Sequence, residues 1–164
     1  MYKAMKVLAI VMLIVTIAGA GAVLYGINTL SPVVEQVSVL ATPAEQAQDV
    51  FDGVTAQLAH ETFTGRVFLG ETGLSAQDCT FLTYTVRLAN KGFFPAEWIS
   101  LVMQPVEGDI LQLDNDQANV LASGTQGDIA ATILHRGDAA NTQRNYTIAC
   151  HVFGRKITLE GSAQ

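Results

Sequence analysis

The residues of this chain that could perform chemistry are few and far apart. They are three histidines, His60, His135 and His151, and two cysteines, Cys79 and Cys150. No two histidines are four residues apart, and neither cysteine stands at a zinc-ligand spacing from another ligand. The sequence therefore predicts no zinc site, and the histidines are expected at the surface or at strand edges.

An acidic segment, residues 114–119, collects the oxygen ligands that calcium prefers. It does not match an EF-hand loop, because Ala118 stands at a ligand position, Asn119 at the required glycine and Thr125 at the bidentate glutamate. We expect a solvated turn here and predict no metal or other cofactor. Irregular acidic loops can bind calcium without a motif, so a site of another type stays open.

The sequence also lacks the common motifs of enzymes. It contains no Gly-x-Ser-x-Gly nucleophile elbow and no Gly-rich phosphate loop. We therefore predict that the chain is not an enzyme.

One segment carries aromatic residues where a polar loop is expected. Phe93 and Phe94 stand directly before Pro95, and Trp98 follows three residues later. Two interpretations stay open: the rings close one end of the protein's own core, or they form an exposed surface for a protein partner. The first is favoured, because loop aromatics often pack beneath their own domain.

The element that must position all these residues is the N-terminal stretch, residues 7–27, which begins with Val7 and ends with Ile27. It contains twenty-one residues without a charge, an amide or a proline. A helix that crosses a bilayer needs about 20 apolar residues, so this stretch is predicted to be a membrane anchor. Because Lys3 and Lys6 precede it, the positive-inside rule places the N-terminus in the cytoplasm and the rest of the chain outside.

The alternative for this stretch is a cleaved signal peptide, with small-residue cleavage sites at residues 18–20 and 20–22. The retained anchor is favoured because the apolar character continues to residue 27, and cleavage would make the protein secreted. Ala18, Ala22 and Gly26 recur every four residues, so they line one helix face that would let a second helix approach.

Charge and cysteine content describe the exported part. Seven basic and fifteen acidic residues follow residue 28, a net charge of −8 that repels nucleic acid and anionic lipid headgroups. No nucleic-acid partner is therefore predicted. An oxidising compartment permits a disulfide between Cys79 and Cys150. Alternation argues against it, because Cys79 does not share the parity of the apolar residues in its strand.

A short amphipathic helix is predicted over residues 42–62. Thr42 and Glu45 can form a capping box around Pro43. The apolar residues that follow lie on one helical face: Ala47, Val50, Phe51, Val54 and Leu58. This face is expected to pack on the protein's own domain, with a partner protein as the alternative.

From residue 63 onward the pattern changes to short alternating runs separated by turn residues, which predicts an all-β sandwich. The predicted strands are residues 65–69, 79–88, 97–104, 109–113, 119–123, 128–135, 144–153 and 156–160. Two sets of alternating residues are predicted to face the core: Leu82, Tyr84, Val86 and Leu88, and Tyr146, Ile148, Cys150 and Val152.

A hairpin is predicted at the end of the chain. A two-residue loop of Gly154 and Arg155 would pair Val152 with Ile157. Cys150 would then pair with Leu159, so both pairs would lie on the same apolar face.

Three segments resemble bacterial cell-adhesion-related immunoglobulin-like repeats. They are residues 84–92 (YTVRLANKG), with an Asn-x-Gly turn, the apolar run 98–103, and residues 122–133, in which a glycine precedes a strand. The water-stress domain of late-embryogenesis-abundant proteins is similar in the same places, but its Asn-Pro-Asn motif is absent here. The resemblance covers about residues 63–160 and implies an immunoglobulin-like sandwich. Cys79, Trp98 and Cys150 follow the cysteine, tryptophan, cysteine order of that fold.

These features predict an anchor or signal peptide at residues 1–27, a linker at 28–41, the amphipathic helix at 42–62 and an immunoglobulin-like sandwich at 63–164. The predicted function is that of a single-pass membrane protein whose extracytoplasmic domain acts in binding or scaffolding. The exported domain is expected to fold from about Ala41 onward. The alternative is a pilin-like or other structural subunit that assembles through its N-terminal helix, although Pro32 and Pro43 interrupt that helix.

Overall fold

A computed structural model describes residues 2–29, 32–70, 73–114, 120–137 and 143–163. The chain begins with a long helix and continues with a strand, a short helical segment and then a series of strands. The elements are α1 (Tyr2–Thr29), β1 (Pro32–Pro43), a 3-10 turn (Ala44–Ala47), α2 (Gln48–Ala59), β2 (Arg66–Val67), a second 3-10 turn (Ala76–Asp78), β3 (Cys79–Asn90), β4 (Ala96–Met103), β5 (Asp109–Asp114), β6 (Val120–Leu121), β7 (Gln126–Arg136), β8 (Arg144–Val152) and β9 (Arg155–Ala163).

The strands form two antiparallel sheets that pack as a β-sandwich. One sheet has the order β1-β3-β7-β5-β2 and the other has the order β6-β4-β8-β9. The two predicted inward-facing sets, on β3 and β8, are buried together in one hydrophobic cluster between the sheets. Alternation of apolar residues along β3 and β8 thus contributes to the core, as the sequence predicts.

Strand β3 gives the sandwich two distinct ends, which we call the near end and the far end. At the near end β1 begins and β3 ends, with Pro32 opposite Asn90. At the far end β1 ends and β3 begins, with Pro43 opposite Thr80. Because α1 leads into β1, the helix joins the sandwich at the near end.

The predicted linker, residues 28–41, is wrong over most of its length, because β1 is an edge strand paired with β3 from Pro32 to Pro43. A register shift between Val34 and Gln36 hides its period. Apolar residues on its inner side therefore occur at Val34, Val37 and then Val39, a spacing that does not read as simple alternation. Proline is tolerated at the ends of an edge strand.

The predicted capping box at the start of the amphipathic helix is also wrong. Thr42 belongs to β1 and pairs with Phe81, and α2 begins only at Gln48 after the 3-10 turn, without a side-chain cap. The reason is that pairing with β3 satisfies the backbone of Thr42 in an extended conformation.

The apolar face of α2 packs on the outer side of the first sheet at the far end. Phe51 and Val54 are buried in a second hydrophobic cluster with Phe81 and Leu134 of the sheet. The interpretation that this helix covers its own domain is thereby confirmed. Val50, assigned to the same face, is exposed instead.

The predicted register of the terminal hairpin is wrong by two residues. The loop consists of Phe153 and Gly154, both with positive φ, and Val152 pairs with Arg155. Cys150 therefore pairs with Ile157. A two-residue loop with positive φ at both positions matches the twist of the strands, so the turn forms one residue earlier than predicted. A shift of two residues preserves the inward face, since side chains alternate with period two.

Helix α1 contains the uncharged stretch and ends at Thr29. The large aliphatic side chains described along it, such as Leu8 and Ile17, are exposed in the isolated chain. Ala18 and Ala22 are exposed on α1 as well, and the surroundings of Gly26 lie outside the described residues. Among the described residues, no helix has the length and apolar character that a membrane crossing requires.

The packing of α2 predicts a large cost for removing its central ring. In a fragment that begins at Pro32, Phe51→Ala should lower the free energy of unfolding by about 3 kcal/mol, because it removes a buried aromatic side chain. Chemical denaturation followed by circular dichroism measures this loss. The control Val50→Ala changes an exposed neighbour on the same helix and should have little effect.

An equal effect of the two substitutions would show that α2 does not pack through Phe51. The fragment must begin at Pro32 rather than at Ala41 as the sequence suggested, because a chain that starts at Ala41 lacks most of β1.

Candidate functional site

The near end of the sandwich brings together the loop between β3 and β4 and the turn between β8 and β9. Ala96 at the start of β4 pairs with Val152 at the end of β8. Pro95 precedes Ala96 and Phe153 follows Val152, so both lie just beyond this antiparallel pair at the same end. They border one surface depression together with Phe94.

Three aromatic side chains are exposed at this end. Phe93 is 73% exposed, Phe153 is 68% exposed and Trp98 is 66% exposed. Phe94 is half-buried, packs on the core, and holds its ring 4.8 Å from that of Phe153 between centroids. The structure thus places the three residues singled out in the sequence at one end and adds Phe153, which the sequence analysis assigned to a strand.

Asn90 fixes the loop that carries Phe93 and Phe94. Its buried side-chain amide donates to the carbonyl oxygens of Phe94 and Leu121, at 2.8 and 3.0 Å, and its Oδ1 accepts from the backbone N–H of Gly92. Ser123 donates a further hydrogen bond to the Gly92 carbonyl. The loop is therefore held from both sides, and the exposed rings stand on a rigid base.

Two of the exposed rings belong to residues with a strained backbone. Trp98 and Phe153 both have φ near +50°, a region that is unfavourable for bulky residues. Trp98 lies where the pairing of β4 with β8 shifts between Glu97 and Ser100, and such bulges redirect side chains. Its ring and that of His151 form a T-shaped contact, with the centroids 5.2 Å apart. Strain of this kind persists when the surrounding structure fixes the position, and it often marks a functional surface.

The near end differs in charge from the rest of the chain after residue 28. Lys91, Arg155 and Lys156 lie beside the exposed rings, and the acidic residues Glu35 and Glu97 lie at the same end. Asp128 is also near this end, but it is paired with Arg87. Lys91 lies 3.9 Å from Glu35, in a long and solvent-exposed ion pair. The near end is thus slightly basic although residues 29–164 carry a net charge of −8.

A second polar cluster lies at the far end, inside the core. The guanidinium of Arg144 on β8 is fully buried and faces Asp109 on β5, which is also fully buried. Its Nη2 donates to Asp109 Oδ1 at 2.7 Å and its Nε donates to Oδ2 at 3.2 Å. Its Nη1 donates to the hydroxyl of Tyr84 at 2.6 Å. Arg144 therefore links the two sheets through charge-assisted hydrogen bonds.

The remaining oxygen lone pairs of Asp109 are also used. The backbone N–H of Val106 donates to Oδ2 at 2.8 Å, and Nδ1 of His135 lies 2.8 Å from Oδ1. Because a carboxylate oxygen only accepts, this contact places a proton on Nδ1 of His135. His135 is buried, so its expected position at the surface is wrong.

Protonation in this cluster follows from its partners. Burial alone raises the pKa of Asp109, but hydrogen bonds from Arg144, Val106 and His135 outweigh burial and lower the pKa below its usual value. Burial alone lowers the pKa of Arg144, but its contacts with Asp109 and Tyr84 outweigh burial and raise it. Asp109 and Arg144 are therefore an ion pair at neutral pH. Burial also raises the pKa of the Tyr84 hydroxyl.

The alternation of apolar residues could have predicted that part of this cluster is buried. Arg144 has the parity of the inward set on β8, and His135 has the parity of Ile133 on β7. Extending each alternation by one step would have placed both side chains between the sheets. Their partner Asp109 has no such signal, because the pairing of β5 with β7 is irregular just after it.

The permitted disulfide between Cys79 and Cys150 does not form in this structure. Cys79 begins β3 at the far end and is buried in the outer cluster beneath α2. Cys150 lies close to the near end of β8 and faces the core between the sheets. The two thiols are thus on opposite faces of the first sheet and toward opposite ends, as the parity of Cys79 indicated.

The acidic segment at residues 114–119 is the part of the chain where the sequence left a calcium site open. Only Asp114 of that segment falls within a described strand, and residues 115–119 lie outside the described residues. In the part of the chain that is described, no group of three or more histidine, cysteine, aspartate or glutamate side chains could hold a metal ion.

Comparison with known proteins does not assign the chain. No protein-family model matches it, and no curated protein matches it either. The function is therefore inferred from the geometry of the near end and of the buried polar cluster.

The buried ion pair predicts that substitutions of Arg144 and Arg87 differ greatly in their effect on stability. Arg144→Met should lower the free energy of unfolding by about 3–5 kcal/mol, because it leaves the carboxylate of Asp109 buried without its charge partner. Arg87→Met is the matched control. Arg87 pairs with Asp128 on the exposed face of the first sheet at 2.7 Å, and because solvent screens this pair, its loss should change stability far less than the loss of Arg144. Similar losses in denaturant titrations would contradict a special role for Arg144.

Acid unfolding provides an independent check on Asp109. Because its pKa in the folded protein lies below the value of about 4 in an unfolded chain, its stabilising contribution is complete above that pH and is lost as the pH falls toward the folded pKa. The free energy of unfolding should therefore decrease on acidification below about pH 4, and less steeply in Asp109→Asn. The exposed Asp128 also has a lowered pKa, but Asp128→Asn should leave most of the slope unchanged. An unaltered slope in Asp109→Asn would refute this assignment.

Proposed function

We propose that the chain is a single-pass, membrane-anchored protein whose outward-facing, immunoglobulin-like β-sandwich acts in binding or scaffolding. The observation that carries this proposal is the direct succession of α1 and β1. The uncharged stretch at residues 7–27 belongs to α1, and only residues 30 and 31 separate α1 from the first strand.

Support for the anchor comes from the sequence together with the extent of α1. By the sequence criterion, twenty-one uncharged residues are enough to cross a bilayer as a helix, and Lys3 and Lys6 precede them. No helix among the described residues meets the requirement by itself, so the anchor rests on the sequence. The side chains of Val7, Leu24 and residues 26–27 belong to this stretch and lie outside the described ones. Exposed aliphatic side chains along the described part of α1 are the surface that lipid would cover.

Strand order supports an immunoglobulin-like fold. In that fold strands A, B, E and D form one sheet, and strands C, F and G form the other. Here β1, β3, β7 and β5 are neighbours in one sheet, and β4, β8 and β9 are neighbours in the other. The chain departs from the family pattern in two ways, because its tryptophan on β4 is exposed and its two cysteines lie at different ends.

A binding or scaffolding role is supported by the distribution of polar and apolar groups. The hydrogen-bonding groups of the buried cluster around Arg144 are directed at one another, which suits a structural role. The exposed rings of Phe93, Trp98 and Phe153 instead stand on a rigid loop and turn, where they are accessible to a partner.

The orientation is tested with a C-terminal tag on the full chain in a bacterial host. Protease added to cells with a permeable outer envelope should remove the tag, while untreated cells should retain full-length protein in an alkali-resistant membrane fraction. Protection of the tag until lysis would place the domain inside and refute the proposal. A released product shorter by about twenty residues would show cleavage of a signal peptide.

The size of the detergent-extracted protein tests the remaining alternative. A compact particle of one or a few copies is expected for an anchored module. Filaments or regular ladders would instead favour a pilin-like subunit that assembles through its N-terminal helix.

A further inference from the structure

We propose that the near end of the sandwich lies on the surface of the membrane that holds α1, with Phe93, Phe153 and Trp98 in the interfacial region of the lipid. This inference rests on the proposed function and names the partner of the exposed rings. The partner is a lipid surface that contains anionic headgroups.

The first argument is the length of the connection. Thr29 ends α1 and Pro32 begins β1, so three peptide units join them and span at most about 11 Å. Pro32 is paired with Asn90, directly before the loop that carries Phe93. A helix that crosses the bilayer therefore holds this loop, rather than the far end, next to the headgroups.

The second argument is the chemistry of the exposed side chains. Tryptophan is enriched where protein meets the interface of a bilayer, because its ring is largely apolar and carries one polar N–H that suits the headgroup level. Phenylalanine occurs with tryptophan on the apolar face of helices that lie in this interface. Phe93, Phe153 and Trp98 are each about two-thirds exposed or more. In water these rings cost free energy, and two of them are held in a strained backbone that presents them outward.

The third argument is charge. Lys91, Arg155 and Lys156 lie beside the rings, and basic residues near a membrane are attracted to anionic headgroups. The net charge of −8 predicts repulsion from such lipids for the exported part as a whole. Its acidic residues on α2 and the preceding turn, Glu45 among them, are at the far end, where α2 packs. In physiological salt, the electrostatic potential of a charge falls off within about 10 Å. The acidic residues at the far end therefore have little effect on the attraction between the near end and the headgroups.

Trp98 is the one tryptophan of the chain, so it reports on this surface directly. The full chain is reconstituted into vesicles of phosphatidylcholine and phosphatidylglycerol, and integration is checked by flotation and resistance to alkaline extraction. Fluorescence of Trp98 is then quenched either with brominated lipid or with acrylamide in the aqueous phase. We expect strong quenching by brominated lipid and weak quenching by acrylamide.

The double substitution Phe93→Ser with Phe153→Asn removes two rings and should abolish most of the lipid quenching. Asparagine tolerates positive φ and is favoured before glycine in this type of turn, so the hairpin is preserved. Leu40→Ser is the matched control, because Leu40 is 65% exposed on β1 toward the far end. It should leave the quenching unchanged.

A second double substitution tests the basic side chains and leaves the turn residues Phe153 and Gly154 unchanged. Arg155→Gln with Lys156→Gln should reduce lipid quenching in vesicles that contain phosphatidylglycerol and should have little effect in phosphatidylcholine alone. Equal effects in the two lipids would contradict the role assigned to charge.

The outcomes separate this inference from the proposed function. An integrated chain whose Trp98 is quenched by acrylamide and not by brominated lipid would overturn the inference and leave the anchor intact. Protection of Trp98 from both quenchers would show that another copy covers the rings, which also overturns it. Lipid quenching that survives loss of both phenylalanine rings would refute their role. A chain that does not integrate would refute the proposed function and this inference together.

Discussion

The sandwich depends on the neutralisation of one buried positive charge. Arg144 enters the core from the second sheet, and the groups that receive its hydrogen bonds, Asp109 and Tyr84, belong to the first sheet. A guanidinium buried without such partners would cost several kcal/mol, so packing of the two sheets depends on bringing these groups together. Their charge-assisted hydrogen bonds link the second sheet to the first. Gln112 adds to this by bonding, through its buried amide, to the backbone of β4 at Leu101 and Met103.

Strand β3 connects that interaction to the remainder of the fold. Its inner side supplies core residues along its whole length, while α2 covers its outer side at the far end, over Phe81. The same strand ends at Asn90, whose amide holds the apolar loop at the near end. The far end is thus closed by a helix and a buried ion pair, whereas the near end is closed by a loop that leaves aromatic rings exposed.

In the proposed membrane orientation, this difference between the two ends lets a strongly acidic domain lie against anionic lipid. A repulsion estimated from net charge treats the domain as a single point charge. In salt, however, each charge acts only over a short distance because of screening. Basic residues and exposed rings share the near end, and the acidic helix α2 lies at the other. Anchoring through a connection of two residues would hold the domain in one orientation, with its far end directed away from the lipid. In that orientation the helix-covered far end is the surface most accessible to other molecules.

The sequence by itself determined the later strands, their inward faces and the uncharged N-terminal stretch, because alternation and apolar length are properties of neighbouring residues. The period of β1 is hidden by a bulge, and its edge position becomes apparent only when it pairs with β3. Arg144 and His135 have the parity of inner faces, although His135 was expected at the surface or at a strand edge. Only the tertiary structure shows that Asp109 contacts both of them. Likewise, sequence reasoning favoured a Trp98 that closes the core, whereas Trp98 is exposed, since the direction of a side chain at a bulge depends on the strand opposite. Such contacts join residues distant in sequence, so they are decided by how the sheets pack and not by local pattern.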